Sequence, residues 1–316
     1  MPSVDDPGSA IDPILQKVLD RVPFRLSADD GIEAVRATLR DVPRRAFHPD
    51  LRVEDRAIDG PAGPINIRIY WPPTDDSAPP VVVFFHGGGF VAGDLDTHDG
   101  TARQHAVGAS AVVVSVDYRL APEHPYPAAI DDAWAATRWV AEHGGEIGAD
   151  AGRLAVAGDS AGGNISAVVA QRTRDEGGAP ILFQLLWYPA TLWDSSLPSF
   201  SENADAPVLD SATVAAFSRH YAGGIDLFDP PVGMAPGRAE NLADLPATYI
   251  AVAGHDPLRD DGARYGELLA AAGVPVEVHN ATSMVHGYLG YAGVVPAATE
   301  AMDRGLAALR EALHVR

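Results

Sequence analysis

The sequence contains no cysteine, a single lysine (Lys17) and no run of eighteen apolar residues. The lack of cysteine excludes disulfides, thiol nucleophiles and cysteine-ligated metals. Without a long apolar run, the chain is not expected to span a membrane. Its first twenty residues are acidic where a secretory signal would be basic, and they lack an apolar core segment. We therefore expect a cytoplasmic protein.

Positive charge is scarce as well. The chain has 23 lysines and arginines against 43 aspartates and glutamates, which gives a net charge of −20. Such a chain repels nucleic acid and anionic membranes, so neither is expected as a partner. The length of 316 residues suits one large α/β domain with an appended lid, or two ordinary domains.

The pattern along the chain predicts two helices followed by alternating strands and helices. The helices are expected at 13–21 and 29–40, with Ser27 and Asp29 as candidate N-caps of the second. The segments LRVEDRAI and INIRIYWP alternate apolar and polar residues, which favours an antiparallel pair at a sheet edge.

The later strands are mostly continuous apolar runs: VVVFF, AVVVSVDY, RLAVAG, ILFQLLWY, ATYIAVAG and VPVEVHN. Continuous runs suit strands that helices cover on both faces. Helical segments such as 128–142 and 261–272 lie between them, as parallel strands require. The prediction is an α/β fold with an eight-stranded, mostly parallel sheet. Residues 190–241 hold no strand pattern and one helix, at 210–221, which is typical of a lid or binding element.

The motif GDSAG at 158–162 matches G-x-S-x-G and lies between a strand pattern and a helix pattern. A sharp strand-to-helix turn lifts the serine hydroxyl clear of the sheet and requires small residues two positions to either side. The following helix points its N-terminal amides at the same place. Ser160 is therefore a candidate nucleophile, although a plain glycine turn would produce the same letters.

Three consecutive glycines stand in the segment HGGG at 86–89, directly after the strand VVVFF. Glycine runs lower stability, so this one indicates either a flexible loop or a backbone that must approach a reacting oxygen. Acyl-transfer intermediates carry an oxyanion, which fixed amide donors stabilise by roughly 3–4 kcal/mol each. The N–H groups of Gly87, Gly88 and Ala161 are expected to be these donors. His86 is expected to tie the loop down through its ring nitrogens.

A serine nucleophile needs a histidine to accept its proton and a carboxylate to orient that histidine. Asp256 follows the strand pattern ATYIAVAG, and His286 follows the last strand by a few residues. The order Ser160, Asp256, His286 is the one expected of the α/β-hydrolase arrangement.

Other candidates compete for these roles. Asp260 and Asp261 lie near Asp256, but they begin the next helix and suit its dipole. His255 and His279 compete with His286. Six further histidines are predicted to be surface or packing residues: His98, His105, His124, His143, His220 and His314. No H-x-H motif, H-E-x-x-H motif or carboxylate cluster suggests a metal, so no metal and no cofactor are expected.

Several segments together resemble, in order, the signatures of hormone-sensitive-lipase-like (bacterial family IV) esterases, a branch of the α/β-hydrolases. They are HGGGF, GD at 93–94, DYRLAPEHPYPAA, GDSAGGN, AGHDPLRDDG and VHGY. The resemblance covers about residues 50–316. It implies a helical cap, made of residues 1–49 and 190–241, over a core of residues 50–189 and 242–316. The aspartate before the nucleophile is similar to that of one subgroup.

The resemblance implies Ser160 as nucleophile, Asp256 and His286 as its partners, and the oxyanion donors named above. It therefore implies a serine carboxylesterase that hydrolyses short- to medium-chain acyl esters through an acyl-enzyme. A retired hydrolase that only binds a small molecule stays open, as does the same triad acting on lactones, amides or carbamates. The expected partner is a small-molecule ester. We also expect a homodimer, because the last strand is predicted at a sheet edge, and edges need protection. Candidate pocket aromatics are Phe90, Trp187, Tyr188, Trp193 and Phe217.

Overall fold

The computed structural model describes residues 10–22, 24–27 and 31–314. Within them, eight strands form a single sheet in the order β1-β2-β4-β3-β5-β6-β7-β8. In chain order the strands are β1 (Arg52–Gly60), β2 (Gly63–Trp71), β3 (Pro80–Phe85), β4 (Val112–Asp117), β5 (Asp150–Asp159), β6 (Ile181–Trp187), β7 (Ala247–His255) and β8 (Val276–Val285). The β1–β2 and β2–β4 pairs are antiparallel and all other pairs are parallel, which confirms the predicted sheet.

The described part of the chain also contains nine α-helices. They are α1 (Pro13–Arg21), α2 (Ile32–Asp41), α3 (Asp99–Ala109), α4 (Ala128–His143), α5 (Ala161–Glu176), α6 (Pro198–Glu202), α7 (Ser211–Ala222), α8 (Arg259–Ala271) and α9 (Pro296–His314). Short 3-10 helices occupy Gly144–Ile147, Pro236–Arg238 and Tyr288–Tyr291.

The strand β3 shows why the central strands are apolar throughout. All six of its residues are buried. Val81, Val83 and Phe85 pack with residues of α4 and α5 on one face, whereas Val82 and Phe84 pack with α3 and α9 on the other. Because helices cover both faces, neither side of the strand is left for polar residues.

The first helix follows from its local sequence. Asp12 caps α1 by accepting hydrogen bonds from the N–H groups of Ile14 (2.8 Å) and Leu15 (3.0 Å), and Pro13 occupies its first position. Leu15 and Leu19 bury the apolar face. The observed bounds agree with the predicted helix at 13–21 because these signals act within the helix's first turn.

The second helix corrects its predicted start. It begins at Ile32 and not at residue 29, and its N-cap is Gly31, with a φ of 85° and no side-chain cap. Ser27 lies too far upstream to cap it, and Asp29 lies outside the described residues. The glycine interrupts helical geometry, and its carbonyl accepts the first helical hydrogen bond from the Val35 N–H.

Residues 190–241 contain one helix more than predicted. Besides α7, they include the five-residue α6, which Pro198 starts at its first position. A helix this short buries one residue and carries no periodic apolar pattern that sequence analysis could detect. We call residues 190–241 the insertion, and the described residues between 10 and 47 the N-terminal segment.

The N-terminal segment and the insertion pack against each other. The Leu26 N–H donates to the Val208 carbonyl (2.9 Å), and the Thr213 hydroxyl donates to the Leu26 carbonyl (3.1 Å). Arg25 Nε donates to the Asp210 carboxylate at 3.0 Å, and the same carboxylate caps α7. Two pieces of chain that are distant in sequence are thereby joined.

Candidate active site

Ser160 lies at a strained corner between β5 and α5. Its φ is 55° and its ψ is −114°, a conformation that side-chain-bearing residues rarely adopt. The corner is tight, because a Cβ on Gly162 would overlap the Phe85 carbonyl oxygen. The Ser160 N–H donates to the Trp187 carbonyl at 2.8 Å, which ties the corner to the neighbouring strand β6. The small residues around Ser160 are thus required by backbone contacts.

His286 joins Ser160 to Asp256. Its Nε2 lies 2.9 Å from Ser160 Oγ, and its Nδ1 lies 2.7 Å from Asp256 Oδ2. All three side chains are buried, with Asp256 at 0% exposure. The Leu258 N–H donates to the other Asp256 oxygen, Oδ1, at 2.8 Å. An ionised Asp256 accepts the Nδ1 proton, which leaves the Nε2 lone pair to accept the Ser160 hydroxyl proton.

The competing acids and bases lie elsewhere. His255 ends β7, and His279 lies within β8. Asp260 and Asp261 are in the first turn of α8, as expected. They have a further role, because Asp260 accepts the Ser199 N–H (2.8 Å) and Asp261 accepts the N–H groups of residues 191–193. Both carboxylates thereby anchor the insertion to α8.

The glycine loop departs from the prediction at Gly87. The Gly87 N–H donates to Asp159 Oδ1 at 3.0 Å. This bond contradicts the role predicted for Gly87, because its one amide hydrogen is already directed at a buried carboxylate. Gly88 and Gly89 instead line the same cavity as Ser160 and Ala161.

Three N–H groups are available at this cavity. Among the residues that the structure describes, the N–H groups of Gly88, Gly89 and Ala161 have no hydrogen-bond acceptor. Gly89 has a φ of 63°, and a Cβ there would overlap the ring of Phe217. Sequence reasoning missed Gly89, although the third glycine of HGGG was the available signal.

His86 contacts the glycine loop and holds it in place. Its Nδ1 lies 2.8 Å from the Gly87 carbonyl oxygen, and its ring stacks on that of Tyr118 at 4.3 Å. The Tyr118 hydroxyl donates to the His86 carbonyl at 2.6 Å. Burial, with a smaller contribution from His98, lowers the pKa of His86 to about 4, so the ring is neutral at pH 7. These contacts support the structural role expected of His86.

His98 is not the surface or packing residue that the sequence suggested. It lines the cavity, and its Nε2 lies 3.5 Å from Asp159 Oδ1. His105 is fully buried and accepts a hydrogen bond from Trp187 Nε1 at 3.0 Å. The partners of these two histidines are 61 and 82 residues away in the chain (159 − 98 and 187 − 105), so only the sheet order brings them together.

The cavity over Ser160 has a volume of about 840 Å³. Of the predicted aromatics, four line it: Phe90, Tyr188, Trp193 and Phe217. Trp187 is a correction, because it ends β6 with its indole fully buried in the core that contains α9. Tyr188 follows the strand with a φ of 36°, and this change of direction places it at the cavity.

The cavity walls differ in origin. The lower part consists of the loops at the carboxyl ends of strands, including 88–90, 159–161, 286–287 and 289–292. The upper part is largely apolar and comes from the N-terminal segment and the insertion, with Val22, Phe24, Leu26, Val208 and Leu209 among its residues. The described part of the chain has no group of three or more His, Asp or Glu side chains that could hold a metal ion.

No helix in the described ranges is both long enough and apolar enough to cross a membrane.

A family model described as the alpha/beta hydrolase fold matches residues 82–290. The chain is 77% identical over 319 residues to esterase LipI of Mycobacterium tuberculosis, with 99% of this chain and 100% of that protein covered. It is 58% identical over 310 residues to carboxylesterase NlhH of the same organism, with 96% and 97% covered.

Solved structures agree with these matches. An esterase from Pyrobaculum calidifontis superposes with a TM-score of 0.87 at 36% identity, covering 95% of this chain and 98% of that one. The strand order, the serine corner and these matches concur. The chain belongs to the α/β-hydrolase family, in the hormone-sensitive-lipase-like branch that its motifs resemble.

Proposed function

We propose that the protein is a serine carboxylesterase. The observation that carries the proposal is the position of His286, within hydrogen-bond distance of both Ser160 Oγ (2.9 Å) and Asp256 Oδ2 (2.7 Å). This is the geometry in which a serine hydroxyl becomes a nucleophile. The complete arrangement argues against a retired binding protein, and the names of the relatives LipI and NlhH favour an ester over other acyl donors.

In the first half-reaction, Ser160 Oγ attacks the ester carbonyl carbon while His286 Nε2 accepts the hydroxyl proton. Asp256 stabilises the resulting imidazolium through Nδ1. The carbonyl oxygen becomes an oxyanion, for which the N–H groups of Gly88, Gly89 and Ala161 are the proposed donors. The intermediate collapses, the bond to the alcohol oxygen breaks, and His286 returns the proton to the leaving alcohol.

In the second half-reaction, water attacks the acyl-enzyme by the same route. His286 accepts a proton from the water as its oxygen bonds to the acyl carbon, and the same three N–H groups hold the new oxyanion. The ester bond to Ser160 then breaks, and His286 gives its proton back to Oγ. The products are a carboxylic acid and the free enzyme, and no cofactor is consumed.

We further propose that the N-terminal segment and the insertion form a cap over the site. Hydrogen bonds between Leu26 and both Val208 and Thr213 support one joined unit, and both pieces contribute apolar side chains to the cavity. A covered cavity of about 840 Å³ suits short- to medium-chain acyl esters of small alcohols. Hydrolysis rates on esters of increasing acyl length test this directly.

The edge strand β8 supports a proposed homodimer. It ends the sheet, and its Val278 is 39% exposed. Unpaired edges favour pairing between copies, unless charge or local structure blocks it. Sedimentation in physiological salt should give the mass of two chains, and a monomer mass would refute the dimer.

The enzymatic proposal is tested with Ser160→Ala. The variant should lose about 10⁴- to 10⁶-fold in kcat on a short-chain p-nitrophenyl ester. Ser166→Ala is the matched control, since Ser166 is a buried serine on α5, the helix that follows Ser160, and its hydroxyl donates to the Gly162 carbonyl. It should retain most of the activity. Hydrolysis by Ser160→Ala near the wild-type rate would overturn the assignment.

A further inference from the structure

The residue before the nucleophile, Asp159, is buried and binds the glycine loop. Its carboxylate accepts the Gly87 N–H at 3.0 Å, and its side chain is 10% exposed. A Cβ on Gly87 would overlap an oxygen of this carboxylate, so loop and carboxylate pack with no space between them. A shift of Asp159 therefore requires a shift of Gly87, and Gly88 and Gly89 follow Gly87 directly in the chain.

His98 contacts the same oxygen of this carboxylate as the Gly87 N–H. Its Nε2 lies 3.5 Å from Asp159 Oδ1, and its Nδ1 lies 3.0 Å from the Thr97 hydroxyl. That hydroxyl has one hydrogen, which is directed either to the Asp94 carbonyl (2.8 Å) or to His98 Nδ1. In the second case the Nδ1 lone pair accepts this hydrogen, and a neutral ring then carries its own hydrogen on Nε2, the nitrogen nearest Asp159.

The surroundings keep the carboxylate ionised. Burial alone would raise the pKa of Asp159, but His98, His86 and the Gly87 N–H together lower it below the usual range. His86 lies beneath the loop, with its ring centre 5.3 Å from that of His98. A buried anion that accepts a backbone N–H forms a strong, directional hydrogen bond. The loop is therefore held at a point next to its proposed donors.

We propose that Asp159 is a positioning residue: it holds the Gly87 N–H so that the N–H groups of Gly88 and Gly89 face the oxyanion, and His98 steadies its carboxylate. This inference rests on the proposed esterase function, because it requires an oxyanion at Ser160. The close packing of Asp159 against the loop also explains why residue 87 is a glycine, although the Gly87 N–H is not a proposed oxyanion donor. Asp159 acts through the loop and does not touch the reacting atoms.

A positioning role differs from a merely structural one in what it changes. Oxyanion donors act in the transition state, so a misplaced loop lowers kcat and leaves KM nearly unchanged. A misplaced loop also weakens the binding of a trifluoromethyl ketone inhibitor. Ser160 Oγ adds to the ketone carbon, the hydroxyl proton passes to His286, and the ketone oxygen becomes an oxyanion in the same position. A purely structural defect lowers the melting temperature without a selective loss of kcat and of inhibitor binding.

The experiment compares the full-length chain with three variants at the site. Asp159→Ala should lower kcat about 100-fold with KM changed less than about threefold. Asp159→Asn keeps an oxygen that can accept the Gly87 N–H, so it should recover about tenfold of that loss. His98→Gln puts another polar side chain beside Asp159 and should lower kcat about three- to tenfold. The inhibition constant of the trifluoromethyl ketone should rise in proportion to the loss of kcat/KM.

Asp150→Asn is the matched control. Asp150 begins the strand that Asp159 ends, and its carboxylate likewise accepts a backbone N–H, from Gly152 at 2.9 Å. It lies at the other end of the strand, so its variant should retain wild-type kcat and inhibitor affinity. Circular dichroism and melting temperature check folding, and His98→Gln tests the same carboxylate if Asp159→Ala does not fold.

The outcomes separate the two proposals. If the wild type hydrolyses esters and Ser160→Ala abolishes this, but Asp159→Ala and His98→Gln keep kcat and inhibitor affinity, the positioning role is overturned and the esterase assignment stands. If the variants raise KM alone, Asp159 shapes substrate binding and the proposal is likewise overturned. If the wild type hydrolyses no ester, both proposals fail together.

Discussion

The two sides of the cavity are built on different principles. The side formed by the strand ends, which we call the floor, holds Ser160, Asp256 and His286 through hydrogen bonds of 2.7–2.9 Å among buried groups. The side formed by the N-terminal segment and the insertion, which we call the roof, is mostly apolar. The floor is attached to the sheet, whereas the roof is anchored at a few polar points such as Asp261 of α8, and Asp210 joins its two pieces through Arg25.

The floor therefore serves the reaction, and the roof serves selection among substrates. Chemistry needs groups held to within a fraction of an ångström, and the ends of paired strands supply that rigidity. Selection among apolar acyl chains needs area and shape, which non-directional packing supplies. We therefore expect changes in the floor to act on kcat, and changes in the roof to act on KM and on the preferred acyl length.

The largest expected effect is that of His286→Ala in the floor. Without Nε2 the Ser160 proton has no acceptor, so kcat should fall about 10⁴- to 10⁶-fold while KM stays nearly constant. Steady-state kinetics on a short-chain p-nitrophenyl ester measures both. His279→Ala, in the interior of β8, is the control and should stay active. Activity in His286→Ala above about 1% of wild type would contradict a base at this position.

The next effect concerns Gly89, where floor and roof touch. In Gly89→Ala the new Cβ would overlap the Phe217 ring of α7 and displace an N–H proposed as an oxyanion donor. We expect kcat to fall about 10²-fold. Gly145→Ala is the control, because a Cβ at Gly145 meets nothing within 4 Å.

A second substitution sharpens the Gly89 test. Phe217→Ala removes the ring that the new Cβ meets, so the double variant should recover part of the lost kcat. Recovery would show that the contact with the roof sets the position of this loop. If the double variant is no more active than Gly89→Ala, the positive φ of Gly89 and not the roof contact accounts for the loss.

Asp261→Asn should weaken the roof's anchor. The carboxylate accepts N–H groups from Leu192 (2.9 Å) and Trp193 (3.0 Å), besides that of Thr191. An asparagine has one acceptor oxygen, so we expect a loss of about 1–3 kcal/mol in the free energy of unfolding. KM should rise, because Trp193 lines the cavity.

Urea denaturation and kinetics check the Asp261 prediction, with Asp205→Asn, at an exposed position of the insertion, as the control. The floor–roof distinction requires that kcat stays within about threefold of wild type. A large loss of kcat with unchanged KM would show that the roof also positions the reacting groups.

The smallest effect is expected at Phe228, which is 92% exposed at the edge of the cavity. Phe228→Ala should leave stability within about 0.5 kcal/mol of wild type. It should leave acetate hydrolysis nearly unchanged and raise KM about two- to fivefold for longer acyl chains, which reach the edge. Equal effects on all chain lengths would place Phe228 outside the acyl path.

The floor was largely predictable from sequence. Ser160, Asp256 and His286 come directly after β5, β7 and β8, and parallel strands bring their carboxyl ends to one edge. Trp187 was mispredicted because Leu185 and Trp187 share one face of β6 and enter the same core. Tyr188 belongs to the same core cluster, and it reaches the cavity because its backbone turns there, with a φ of 36°.

The remaining differences depend on contacts between distant segments. The bond from Gly87 to Asp159, which occupies the Gly87 N–H, joins the loop after β3 to the end of β5 and has no local sequence signal. The contact of His98 with Asp159 likewise depends on the order of strands in the sheet. The aspartate before the nucleophile therefore had no assignable role until the fold placed the loop beside it.

The most direct test of the central claim is covalent labelling of Ser160. A fluorophosphonate ester reacts with a serine that His286 activates, as Oγ displaces fluoride from phosphorus. Mass spectrometry of the intact chain should show one adduct, mapped to the peptide that contains Ser160, and His286→Ala should remain unlabelled under the same conditions. Labelling of a different serine, or equal labelling of both proteins, would contradict the account.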